Sequence, residues 1–130
     1  MVGHESERHK RYKRKVADLL RSYGFVVAGD AEGYDDEFSI IRPGSSQAYY
    51  VDICASNNER VLVVEIDGYR GHNSHRRIQY DVHRTIEIKS LIKDVEVFRF
   101  AFWQLKGMDE DTIAEELRLI PSTRRKSDRQ

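Results

Sequence analysis

The chain has 130 residues, and its 22 basic and 22 acidic side chains give a formal net charge of zero. This length suits a single domain with one hydrophobic core. No apolar run approaches the roughly 18 residues of a membrane span, so we expect a cytoplasmic protein without a membrane partner. The single cysteine, Cys54, excludes an internal disulfide and a zinc site built from cysteines.

The predicted secondary structure alternates between helices and strands. Val16, Leu19 and Leu20 lie at helical spacing within a first predicted helix, which Gly24 is suited to end. Residues 60–68 are apolar on both faces, which indicates a central strand. In chain order, the predicted elements are a helix over 5–25, strands over 38–41, 48–55 and 60–68, a helix over 76–93, a strand over 95–103 and a helix over 108–120. The inner side of the second helix is expected to carry Ile78, Val82, Ile86 and Leu91.

This order predicts an α/β fold. Short turns between the first three strands indicate an antiparallel meander, and the helix that follows allows a crossover to a fourth strand. The prediction is therefore an αβββαβ(α) core with a mixed four-stranded sheet flanked by helices. It forms one domain over residues 1–120, followed by a basic, disordered tail over residues 121–130.

The zero net charge hides an uneven charge distribution. Residues 9–15 and the tail are densely basic, whereas residues 29–37 and 108–116 are acidic. A further basic cluster consists of Arg70, Arg76, Arg77 and Arg84. This pattern is compatible with a basic face that binds an anionic partner. The alternative is an ordinary solvated surface of mixed charge.

Acidic residues interrupt the central predicted strand. Glu65 and Asp67 are two residues apart and so point to the same face. A hairpin closed around residues 56–59 would place Asp52 opposite Val63 and next to Glu65, so that three carboxylates converge. Hard oxygen ligands at this density suit Mg²⁺ or Mn²⁺. The alternative is that these acids simply emerge into solvent where the strand ends.

His72 lies five residues beyond Asp67, on the loop that leaves the same strand end. From there it can reach a metal ion or its bound water. A histidine is suited to act as a general base near neutral pH. The alternative is a solvent-exposed histidine without a role.

These motifs, in their order VDI…LVVEIDGYRGH…YDVHR…VEVFRF, resemble the PD-(D/E)XK nuclease superfamily, which has the restriction-endonuclease-like fold. More narrowly, they are similar to the very-short-patch-repair endonuclease and its small uncharacterised relatives. Asp81 and Arg84 supply the D-x-x-R of the helix, and residues 97–100 match a V-x-R-F-like strand. The resemblance covers about residues 49–119.

The first predicted helix adds to the resemblance. ESERHKRYK is similar to an E-S-x-x-H-x-x-x-K segment of several superfamily members, with Glu5, His9 and Lys13 on one helical face. In the superfamily an acid on this helix often completes the metal site. The resemblance assigns that role to Glu5, with Glu7 as the alternative.

The chain departs from the superfamily pattern at Asp67, which replaces the lysine that stabilises the attacking water and the transition state. Either the chain is an inactive nuclease, or His72, Arg84 or Lys89 takes over the role of this lysine. The very-short-patch relatives work without this lysine.

The resemblance implies a Mg²⁺- or Mn²⁺-dependent DNA endonuclease of repair, recombination or restriction. Asp52, Glu65 and Asp67 would bind the metal, and His72 and Glu5 would complete the catalytic set. DNA contacts are expected from Lys10, Lys13, Arg14, Arg70, Arg76, Arg77 and Arg84. Duplex, mismatched or branched DNA are the expected partners, along with a second copy of the chain in a homodimer. The alternatives are an inactive nucleic-acid- or partner-binding module on the same fold, and an unrelated α/β domain.

Overall fold

The computed structural model describes residues 7–28, 38–41, 48–68 and 75–121. The elements in chain order are α1 (Glu7–Ser22), β1 (Val26–Val27), β2 (Phe38–Ile41), β3 (Ala48–Val51), β4 (Ile53–Ser56), β5 (Val61–Asp67), α2 (His75–Leu91), β6 (Val95–Ala101), α3 (Phe102–Lys106) and α4 (Glu110–Glu116). Of the predicted tail over residues 121–130, all but Pro121 lies outside the described residues.

The main sheet has four strands in the order β1-β4-β5-β6. β4 is antiparallel to β1 and to β5, whereas β6 is parallel to β5 and follows it through the crossover helix α2. The predicted α/β fold with a mixed four-stranded sheet flanked by helices is confirmed. β5 is an inner strand of this sheet, as its run of apolar residues indicates.

The antiparallel part of the sheet differs from the predicted meander. The predicted strand over 48–55 is divided at Asp52 into β3 and β4. β3 pairs with β2 in a separate two-stranded sheet, while β4 stays in the main sheet. The remaining place beside β4 is taken by β1, a strand of two residues that is too short to show a hydrophobic period. The prediction of one continuous three-stranded meander is therefore wrong.

Helices cover both faces of the main sheet. On one face, α1, α3 and α4 pack on a core that includes Leu62, Val64 and Ile66 of β5. On the other face, α2 packs through Ile88 on a smaller core with Val63 and Val95. Successive residues of β5 alternate between these two cores, as strand geometry requires.

The rotation of α2 about its axis differs from the predicted one. Val82 and Ile86 were expected on the inner side, but their side chains are 54% and 61% exposed. Arg84 and Ile88 face inward instead, four residues apart, and Leu91 packs inward as predicted. The side chain of Ile78 lies outside the described part of the chain. The inward position of an arginine is the physical reason for the error, since hydrophobicity alone assigned the two apolar residues to the core.

The helix boundaries follow from local chemistry. Gly24 has a φ of +86°, a left-handed conformation that glycine adopts readily, and it ends α1 as predicted. β6 ends at Ala101 and α3 begins at Phe102, two residues before the predicted end of the strand. Asp109 caps α4 by accepting a hydrogen bond of 2.8 Å from the Thr112 amide.

Arg60 joins three elements at the far end of the sheet from the acidic residues. Its guanidinium donates hydrogen bonds of 2.7 and 2.9 Å to the two carboxylate oxygens of Glu96. It also donates to the Leu117 and Arg118 carbonyl oxygens beyond α4. The hydrogen bonds from Arg60 hold the pKa of Glu96 below its usual range.

Within the part of the chain that the structure describes, no helix is both long and apolar enough to cross a membrane.

Candidate functional site

The candidate site lies at the carboxyl end of β5. Glu65 and Asp67 both point to the α2 face of the sheet, as predicted from their spacing. Glu65 is only 6% exposed, so its carboxylate lies within the protein rather than at a solvated strand end. The interpretation of Glu65 as a surface acid is therefore wrong.

Asp52 lies beside Glu65 at the point where β3 turns away from the main sheet. The β4–β5 ladder ends with Ile53 opposite Val64, and its continuation places Asp52 opposite Glu65. The predicted partner of Asp52, Val63, lies opposite Cys54 instead. The predicted register was two residues short because the turn occupies residues 57–60 rather than 56–59.

An Asx turn explains this register. The side-chain oxygen of Asn57 accepts hydrogen bonds of 2.8 Å from the Glu59 amide and 2.7 Å from the Arg60 amide. These bonds stabilise the reversal between β4 and β5. The four-residue turn brings Asp52 directly next to Glu65.

The Asp52 carboxylate is held through both oxygens. Oδ2 accepts a hydrogen bond of 2.7 Å from the Ile66 amide. Oδ1 lies 3.3 Å from Nε2 of His9 in α1. The same His9 nitrogen is 2.9 Å from the Ile66 carbonyl oxygen. Asp52 is thereby fixed to the backbone of Ile66, the residue between Glu65 and Asp67.

Glu65 is paired with an arginine of α2. Nη2 of Arg84 donates a hydrogen bond of 3.1 Å to Oε1 of Glu65. On β6, Arg99 lies in register with Glu65 and donates a hydrogen bond of 3.0 Å to Oγ1 of Thr85. Two arginines from neighbouring elements therefore flank one buried acid.

Opposing effects act on the pKa of Glu65. Burial raises the pKa of this carboxyl, because water no longer solvates the charged form, and the charge of Asp52 raises it further. Arg84 and Arg99 act in the opposite direction. The net shift of the pKa is upward, so ionisation of Glu65 is less favourable than in water, and a further positive charge would stabilise the ionised form.

The structure brings together Asp52 and Glu65 from the predicted metal ligands, and Asp67 follows on the same strand face. Among residues 7–28, 38–41, 48–68 and 75–121, no group of three His, Cys, Asp or Glu side chains is placed to hold a metal ion. Glu5 and His72, which were predicted to complete the catalytic set, lie outside the described residues. The alternative acid, Glu7, is exposed in the first turn of α1.

The structure places the predicted DNA contacts differently. Arg14 is exposed and Lys10 half-buried on α1. Lys13 is only 2% exposed, so it does not lie on a surface that DNA can reach, and the prediction of a direct contact is wrong. Arg84 points into the site towards Glu65 rather than outward. Arg70 lies outside the described residues, and of Arg76 and Arg77 only the backbone, in α2, is described.

Two members of the site were not predicted as site residues. His9 lies on the motif face of α1, and Arg99 lies in the V-x-R-F-like strand, so the resemblance contained a signal for both. Their partners could not be predicted, since the contacts depend on how α1 docks on β5 and how β6 aligns with it.

Gly68 is a further constraint on the site. A Cβ added there would lie 2.9 Å from Cε2 of Phe102. The Phe102 ring itself packs on His9 and Tyr12, with centroid distances of 5.8 and 5.1 Å. We expect Gly68→Ala to destabilise the protein by about 1–2 kcal/mol, because the ring has to move against these neighbours. Urea unfolding measures the effect.

Gly107→Ala is the matched control, since a Cβ there meets only a backbone oxygen at 3.9 Å. In a Phe102→Leu background the effect of Gly68→Ala should fall by at least half, since the ring that it meets is gone. An equal effect in both backgrounds would show that the Phe102 contact is not the cause.

No protein-family model and no curated protein matches the chain. A structural similarity exists to the crystal structure of a protein of unknown function, AF1548, with a TM-score of 0.41 and 15% sequence identity. The alignment covers 82% of this chain and 54% of that protein, so the chain spans about half of its length.

Proposed function

We propose that the protein is a metal-dependent DNA endonuclease that hydrolyses phosphodiester bonds in the cytoplasm, in repair, recombination or restriction. The observation that supports this proposal is the pair formed by Asp52 and Glu65. The Asp52 carboxylate, at the bend between β3 and β4, lies beside Glu65 at the end of the inner strand β5, and Arg84 and Arg99 lie near Glu65. The motif order of the sequence supports the same function.

The donor set suits a hard divalent cation. Mg²⁺ binds through one or two carboxylates and keeps several water molecules, so Asp52 and Glu65 are sufficient protein ligands. Asp67 lies two residues further along the same strand face, and we propose it for a second contact. The raised pKa of Glu65 fits this assignment, because a cation would favour its ionised form. When bound, Mg²⁺ or Mn²⁺ would polarise the scissile phosphate and lower the pKa of a coordinated water.

Arg84 and Arg99 supply the positive charge that the missing lysine would otherwise provide. Both lie near Glu65, and Arg84 is only 13% exposed. A guanidinium in such a site can hydrogen-bond phosphate oxygens and stabilise negative charge that develops in the transition state. We assign the role of the lysine to Arg84, and the deprotonation of water to His72.

The DNA backbone would be bound by the basic clusters of the sequence. We propose Lys10 and Arg14 of α1 for this role, together with Arg70, Arg76 and Arg77. Contacts of this kind give affinity that falls steeply with salt and carries little sequence information. A homodimer on duplex, mismatched or branched DNA is compatible with this arrangement.

Cleavage of supercoiled plasmid and of a branched DNA substrate tests the proposal. We expect nicking with Mg²⁺ or Mn²⁺, loss of nicking with excess EDTA, and loss in the variants Asp52→Ala and Glu65→Ala. Lys93→Ala, an exposed change in the turn after α2, serves as the control. Equal cleavage by the wild type and both site variants would contradict the proposal.

A second candidate function is an inactive DNA- or partner-binding module on the same fold. The observation that favours it is the pairing of Glu65 with Arg84, which already balances the buried charge without a metal. This module would bind DNA equally well with EDTA or with Mn²⁺. Gel-shift titrations in the two buffers, beside calorimetry with Mn²⁺ alone, distinguish it from the nuclease.

A further inference from the structure

Among the described residues, no strand pairs with the carboxyl end of β5 on the side of β4. In a β-strand, the N–H and C=O of one residue point to the same neighbour. The β4–β5 ladder ends at Ile53 and Val64, so Ile66 extends beyond its last pair. Its amide and carbonyl are bonded by two side chains, Asp52 and His9. These side chains satisfy the two backbone groups that a paired strand would otherwise bond.

The geometry identifies which nitrogen of His9 carries a proton. The Ile66 carbonyl oxygen, 2.9 Å from Nε2, can only accept a hydrogen bond. Nε2 must therefore be protonated, and it also faces Oδ1 of Asp52 at 3.3 Å. One N–H group thus stabilises both the backbone of β5 and the charge of the neighbouring carboxylate.

The three contacts form a closed ring of His9, Ile66 and Asp52 at the candidate site. His9 donates to the Ile66 carbonyl, the Ile66 amide donates to Oδ2 of Asp52, and Oδ1 of Asp52 faces His9 again. Ile66 is the residue between Glu65 and Asp67, so the ring fixes the backbone that presents both acids. The Phe102 ring packs against the His9 ring, at a centroid distance of 5.8 Å.

We propose that His9 is a positioning residue, which holds the Asp52 carboxylate and the Ile66 peptide in the geometry needed to bind a divalent cation. The inference rests on the proposed function for its catalytic consequence. Its structural part, that the His9 N–H fixes Asp52 and Ile66, stands independently. Groups that orient a ligand in this way typically change metal affinity or activity by about 10–100-fold when removed.

Two substitutions separate the hydrogen bond from the packing. His9→Phe keeps an aromatic ring against Phe102 but has no donor, whereas His9→Gln keeps an N–H donor at the corresponding position. His83→Phe is the matched control, since His83 is 78% exposed on α2. Urea unfolding of each variant establishes that it is folded.

The first measurement is hydrogen exchange of the Ile66 amide in protein without metal. We expect exchange about 10-fold or more faster in His9→Phe than in the wild type, and within about threefold of the wild type in His9→Gln, as for loss and retention of one hydrogen-bond donor. The amides of Leu62 and Val64 serve as internal references. Unchanged Ile66 exchange in His9→Phe would overturn the inference.

The second measurement is calorimetry with Mn²⁺ alone. We expect binding about 10–100-fold weaker for His9→Phe and within about threefold of the wild type for His9→Gln. In an Asp52→Asn background His9→Phe should add less than about twofold, since the residue that it positions is already changed. Equal loss in the Gln and Phe variants, or full additivity with Asp52→Asn, would overturn the inference.

The two measurements also separate this inference from the proposed function. If the wild type neither binds Mn²⁺ nor cleaves DNA, the proposed function fails, and the exchange rates still decide whether His9 fixes Ile66. If the wild type is active, a loss in kcat without a comparable change in KM for His9→Phe supports positioning of the metal site. A change in KM alone would contradict it.

Discussion

Arg84→Met is expected to destabilise the protein by about 2–4 kcal/mol at pH 7, because it leaves a buried carboxylate without its nearest positive charge. The Arg84 and Glu65 side chains are only 13% and 8% exposed, and their hydrogen bond is 3.1 Å long. Methionine retains most of the aliphatic part of the side chain, so the lost packing is small. Urea unfolding at pH 7 measures the difference.

The origin of this effect can be tested with a second substitution. In a Glu65→Gln background, Arg84→Met should cost less than half as much, since no buried charge remains to be compensated. Lys89→Met, on an exposed position of the same helix, should change stability by less than about 0.5 kcal/mol. If Arg84→Met and Lys89→Met have the same effect, the ion pair with Glu65 is not an important contact.

The effect of Arg84→Met should also depend on pH. Burial already raises the pKa of Glu65, and removal of Arg84 takes away the largest effect that lowers it. The carboxyl of the variant will therefore bind a proton more readily, which limits the penalty. We expect the destabilisation to be smaller at pH 5 than at pH 7.

The ion pair shows what the sequence could and could not predict about α2. The length and position of this helix follow from its composition and from the turns around it. Its rotation does not, because Val82 and Ile86 suggest an inner face that the structure exposes. Arg84 was predicted to contact DNA because it belongs to a basic cluster of the sequence. An arginine faces inward only where a buried acid such as Glu65 pairs with it. That acid belongs to another element, so the sequence of α2 alone does not indicate it.

The adjacency of Asp52 and Glu65 was predictable, since an antiparallel hairpin brings residues before and after its turn together. The break in the strand at Asp52 was not. The sequence AYYVDICA continues the apolar alternation through Asp52, so nothing local indicates that β3 leaves the sheet there. This departure frees the Ile66 peptide for Asp52 and His9, and it explains why the role of His9 depends on tertiary structure.

Glu65→Gln is expected to reduce metal-dependent cleavage on the order of 10³-fold, which corresponds to about 4 kcal/mol of transition-state stabilisation. The amide oxygen can still accept the hydrogen bond from Arg84, so the fold should be retained. Plasmid nicking under single-turnover conditions measures the loss. Activity within about tenfold of the wild type would show that Glu65 is not a metal ligand.

The same substitution should stabilise the protein relative to the wild type as the pH rises. The pKa of Glu65 is raised in the folded state above its ordinary value of 4.5, chiefly by burial. Between the ordinary pKa and the raised pKa, the folded protein retains a proton that the unfolded chain has released. Wild-type stability therefore falls with increasing pH in this window. Glutamine does not titrate. The free energy of unfolding of the variant should therefore rise relative to that of the wild type through this window, and the difference should be constant above it.

Urea unfolding from pH 4 to pH 8, without metal, measures the trend. A variant that is inactive yet more stable above the window would mean that Glu65 is retained for its chemistry at the expense of the fold.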